Sequence, residues 1–129
     1  MKTQRTIKFR VWDEKYKCWV KNSFLLYPED EIKIQGRILT QFTGLTDKNG
    51  KEIYEGDIVK FELKNKIYEV IYYEGHPCFM FLPIDIGPNL MEFFLTVNFS
   101  DFIPNHFQTK EYEILGNIFE NSELLNEKI

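Results

Sequence analysis

Four carboxylates stand close together near the middle of the chain: Asp47, Glu52, Glu55 and Asp57. A metal-dependent nuclease needs two or three carboxylates converging on one cation, usually with a Lys or His beside them, and Lys60 is near enough in sequence to serve. Each acid also has a local reading. Asp47 opens the turn Asp47–Lys48–Asn49–Gly50, and Asp57 ends the turn Glu55–Gly56–Asp57, where it can accept backbone N–H groups. Glu52 and Glu55 flank a short, exposed extended piece. The turn reading explains all four, so metal-dependent cleavage is a remote alternative and no catalytic residue is assigned.

The remaining reactive side chains are scattered. Cys18, His76, Cys78 and His106 make a nominal zinc set, but their spacing matches no compact site. The two cysteines are far apart and form no CxxC pair, so both are expected to be partly buried free thiols in a reducing cytoplasm. There is no Ser/His/Asp pattern, glycine-rich phosphate loop or Walker lysine. No cofactor and no metal is implied.

Two stretches have the chemistry of binding surfaces. Residues 1–21 carry Lys2, Arg5, Lys8, Arg10, Lys15, Lys17 and Lys21 against only Asp13 and Glu14. Lys8, Arg10 and Trp12 alternate along one strand and would share its outer face, with Lys17 and Trp19 close by. A basic strip interleaved with aromatics can hold single-stranded nucleic acid, each base stack being worth ~1–3 kcal/mol. The plainer reading is the solvent side of a hairpin whose Trp rings cover a second core. The other stretch holds Phe93, Phe94, Phe99, Phe102 and Phe107, which either fold over the open end of a barrel or face a partner.

The elements that must position these residues are mostly strands. Residues 5–12 alternate, with Ile7, Phe9 and Val11 on one face. A turn over 13–17 returns the chain into 18–20 as a hairpin. Segment 22–36 reads as a loop, and 37–43 as the next strand. After the two turns already named, 58–63 leaves as a strand with Val59, Phe61 and Leu63 on one face. Lys64–Asn65–Lys66 closes a hairpin onto 67–73, and Glu74–Gly75–His76–Pro77 leads into a strand over 78–82. Residues 83–107, broken by Pro83, Gly87, Pro88 and Pro104, give no clear period. A last strand covers 112–119, where Gly116 marks a bulge or a close backbone approach. Asn121 or Ser122 then caps a short helix. Strands about ten residues apart with turns between them suggest a small barrel or roll.

Composition sets the outer limits. The 129 residues suggest one domain, able to bury roughly 65% of the unfolded surface without a staple. An aromatic content of 16% favours strands. Nothing near ~18 consecutive apolar residues is present and the N-terminus is polar, so a soluble, intracellular protein is expected. The net charge of −4 argues against a wide duplex-binding surface. It hides an asymmetry: residues 1–66 hold 14 of the 16 basic residues, while residues 67–129 hold only 2 against 10 acids. Opposed halves can steer self-association or simply be two solvated faces.

IKFRVWD at 7–13, QFTGLTDKNGKEIYEGDIVKF at 41–61 and YEILGNIFENSELL at 112–125 together resemble the YopX family, small proteins of phages and prophages. The resemblance implies a mainly β fold with an SH3-like barrel and a bacterial-host setting. It implies no activity. In that frame residues 1–21 are a basic β-hairpin, 37–82 the barrel core, 83–110 an irregular Phe-rich segment, and 111–125 the closing strand and short helix. The structural motif is Gly44, Asn49, Gly50, Gly56, Asp57 and Gly116. The expected role is non-enzymatic binding, to a protein partner or a second copy, with single-stranded nucleic acid as the alternative.

Overall fold

The computed structural model describes residues 6–20, 36–73, 78–85 and 108–126. The fold is mainly β, as expected. Eight strands are described: β1 (Phe9–Asp13), β2 (Cys18–Trp19), β3 (Arg37–Thr46), β4 (Glu52–Tyr54), β5 (Asp57–Phe61), β6 (Lys66–Tyr73), β7 (Cys78–Pro83) and β8 (Tyr112–Asn117). They form two four-stranded antiparallel sheets, β2–β1–β3–β4 and β7–β6–β5–β8, curled into a half-barrel. Short 3-10 helices cover Gln108–Glu111 and Ser122–Asn126, so the expected C-terminal helix is a single tight 3-10 piece.

The sheets share one apolar core. Leu45 of β3 and Ile53 of β4 pack with Val59, Tyr68, Val70 and Phe81 of the second sheet. The Tyr112 ring lies 4.9 Å from Phe61 and 4.8 Å from Phe81, and burial pushes its phenol up to about 12. β5 is covered on both faces: neighbours Ile58 and Val59 point oppositely, yet neither is accessible to solvent. Pro83 ends the edge strand β7, a position where its missing N–H breaks no ladder bond.

Several local readings are corrected. β3 runs on to Thr46, three residues past the strand expected over 37–43, with an irregularity between Phe42 and Thr46 that takes in Gly44. Ile53, read as part of an exposed piece, is fully buried. Leu63 falls in the turn after Phe61 and is 73% exposed, and Ile7 precedes β1 and is exposed. Trp12, placed on the outer face of the first strand, is buried. Its ring packs against Trp19 at 5.1 Å and Phe119 at 5.7 Å, a small second core under the hairpin. Cys18 is exposed rather than partly buried.

The turns were legible. Asp47 Oδ1 accepts from the Asn49 and Lys51 amides, and the Gly50 amide donates to the Asp47 carbonyl. Gly44, Gly50 and Gly56 all have positive φ. β8 carries the bulge that Gly116 suggested: Ile58 faces Gly116 and Val59 faces Ile114, leaving Leu115 as the extra residue. A Cβ at Gly116 would stand 2.3 Å from Asn121 Oδ1, so the close approach holds as well.

Candidate functional site

The two sheets are tied together by Arg10 of β1. Its guanidinium lies over the Trp19 ring at 4.2 Å and the Tyr54 ring at 4.7 Å, and Nη2 donates to Asp57 Oδ1 at 2.6 Å. Asp57 Oδ2 accepts the Tyr54 amide at 2.8 Å. Burial raises the Asp57 carboxyl above its ordinary range, against the pull of Arg10. On the far side, Trp19 Nε1 donates to Glu120 Oε1 at 2.7 Å, and Asn117 Nδ2 donates to the same oxygen.

Beside this tie the turn between β4 and β5 spans the sheets. The Glu55 amide donates to the Gln41 carbonyl of β3 at 2.9 Å, and the Gly56 amide donates to the Val70 carbonyl of β6 at 2.8 Å. Beyond the turn an open groove of about 370 Å³ runs between the two strands. Its walls include Leu39 and Thr40 of β3, Glu69 and Tyr72 of β6, and the Phe119 ring. Among the described residues, β3 ahead of Phe42 pairs with β1 alone, and β6 beyond Glu69 pairs in register with β7 alone.

The ladder parity shows which groups face the groove. Bonds from the Phe42 amide to the Lys8 carbonyl and from the Glu14 amide to the Gly36 carbonyl turn the even residues of β3 towards β1. Leu39 therefore directs its N–H and C=O away from β1. The Ile84-to-Ile67 bond turns the odd residues of β6 towards β7, so Tyr72 directs its main chain towards the groove. Two carboxylates also line it. Burial raises the Glu55 carboxyl, opposed by a backbone hydrogen bond at Gln41, and burial alone raises Glu69. Among the described residues Glu69 has no ion pair and its side chain accepts no hydrogen bond.

The YopX family model matches residues 26–126. The chain belongs to the YopX family. The crystal structure of protein EF1440 from Enterococcus faecalis is similar, with a TM-score of 0.60 and 23% identity over 95% of this chain and 99% of that one. At that identity the likeness concerns the fold. No curated protein matches. The YopX signature expected at 41–61 forms the end of β3, β4, the spanning turn and β5, which makes up one end of the groove.

The sequence candidates are spread over the molecule. Of Lys8, Arg10, Trp12, Lys17 and Trp19, only Arg10, Trp12 and Trp19 come together, around the buried tie. Lys8 pairs with Glu52 at 2.5 Å, and Lys17 pairs with Glu14. Phe93, Phe94, Phe99 and Phe102, with His76 and His106, lie outside the described residues. The four central acids diverge: Asp47 holds its turn and accepts the Ile114 amide, Glu52 pairs with Lys8, Glu55 enters the groove, and Asp57 holds Arg10. No group of three or more His, Cys, Asp or Glu able to hold a metal occurs among the described residues. No helix among them is long and apolar enough to cross a membrane. Sequence reasoning missed Glu69, whose signal was a lone carboxylate in the otherwise apolar run IYEVIYY.

Proposed function

We propose that this YopX protein is a non-enzymatic binding module of phage or prophage origin, acting in the bacterial cytoplasm through protein–protein contacts at the groove. The observation that carries this reading is the pair of strand edges, on either side of one gap, that no other described strand pairs. Exposed edges are sites of chain pairing unless they are covered. The basic hairpin offers less, because Lys8, Arg10 and Lys17 already hold acids and Trp12 is buried.

Tyr72, at 43% exposure on the groove, is the residue to change. Tagged protein is expected to capture a stoichiometric partner from prophage-carrying lysate after nuclease treatment. A folded Tyr72→Lys variant is expected to lose it. Partners that vanish with nuclease would favour single-stranded nucleic acid on the hairpin instead. A partner retained by Tyr72→Lys would move the interface elsewhere. Light scattering behind a sizing column separates a second copy from a foreign partner.

A further inference from the structure

The geometry points to the occupant of the groove: we infer that it receives an extended, lysine- or arginine-bearing peptide segment, which pairs as a strand with the main chain at Leu39 and Tyr72, unpaired on that side among the described residues, and sets a cationic side chain against Glu69. This rests on the groove being the partner site.

Three features support it. First, the gap is one strand wide where it can be gauged. Consecutive amides of the spanning turn, Glu55 and Gly56, donate to opposite sides, to Gln41 of β3 and Val70 of β6. Alternating donation to two neighbours is the bonding of a strand held between two others. A segment entering the groove continues that slot and meets the next outward-facing residues, Leu39 and Tyr72. Second, the charge is one-sided. Glu55 and Glu69 line the groove and neither has a cation partner among the described residues. Burial already disfavours both charged forms, and a cation delivered by the ligand offsets that penalty. Third, most of the remaining lining is apolar or aromatic, including Leu39, Ile71, Tyr72 and Phe119. An occupant alternating cationic and apolar side chains matches this, since side chains of a strand alternate between its faces.

The test uses the full chain and a short fluorescein-labelled peptide alternating Lys and Val, followed by anisotropy. Binding is expected, with about a tenfold loss in Glu69→Gln, the scale of one charge-assisted hydrogen bond. Glu123→Gln makes the same charge change in the C-terminal 3-10 helix and is expected to bind as the wild type does. A Glu/Val peptide, and the Lys/Val peptide N-methylated at alternate residues, are expected to fail. Equal binding by Glu69→Gln, whose fold is checked by its melting curve, would overturn the inference. So would undiminished binding of the N-methylated peptide, or of the Glu/Val peptide. If no peptide binds while Tyr72→Lys still abolishes partner capture, the groove remains the interface and the cationic strand is wrong.

Discussion

Glu69 is, at the scale of one residue, the group that the proposed cationic ligand would meet in the groove. A half-buried carboxylate with no cation partner among the described residues weakens the fold when it is ionised. Burial raises its folded pKa above the unfolded value. The native state therefore holds that proton more tightly than the unfolded chain. The group's favourable contribution is fully present below the unfolded pKa and is lost as pH rises through the folded pKa. Glu69→Gln removes this dependence. The variant is expected to melt above the wild type at about pH 7, with a smaller gap at about pH 4. A gap independent of pH would place the Glu69 carboxylate in solvent. Asp57 is also raised by burial but has Arg10 against it, so the two acids differ: one is paired across the sheets, and the other has no cation partner among the described residues.

Among the elements, the turn Glu55–Gly56 joins β4 to β5 and bridges the sheets with its two amides. Gly56 has φ +92°, and a Cβ there would meet Phe119 Cε2 at 3.0 Å. Valine is β-branched and poorly suited to that region, and its side chain would push into the Trp12–Phe119 stack. Gly56→Val is expected to cost about 3 kcal/mol or more in urea unfolding. An unchanged melting temperature would defeat this account of the turn. The same segment was legible in sequence because Asn, Gly and Asp at turn positions act locally. Its length was not. The strand expected over 37–43 stops short of Gly44, yet β4 pairs there and carries it through to Thr46.

The whole molecule depends on contacts between residues distant in sequence. Arg10 and Asp57 are 47 positions apart and join the two sheets. Arg10→Met leaves Asp57 buried without its cation and is expected to lose about 3 kcal/mol. Arg10→Met with Asp57→Asn is expected to lose less than the two single variants added together, because the amide keeps the bond from Tyr54 without the charge. Strict additivity in urea titrations would show that the pair does not act as a unit.

Local chemistry is what the sequence by itself determined: the strands, because alternation and aromatic content read directly as pleated half-buried surface; the turns at Asp47–Gly50 and Glu55–Asp57, because positive φ and short polar side chains are properties of single residues; and the bulge at Gly116. Alternation gives a strand two faces without saying which one is covered. Trp12 is buried because Trp19 and Phe119 arrive over it from other parts of the chain. Asp47 does more than shape its turn, because Ile114 reaches its second oxygen from β8. The groove is a gap between β3 and β6, and a gap belongs to no segment. Only folding, which brings those two edges beside the same turn, decided where it lies and which carboxylates face it.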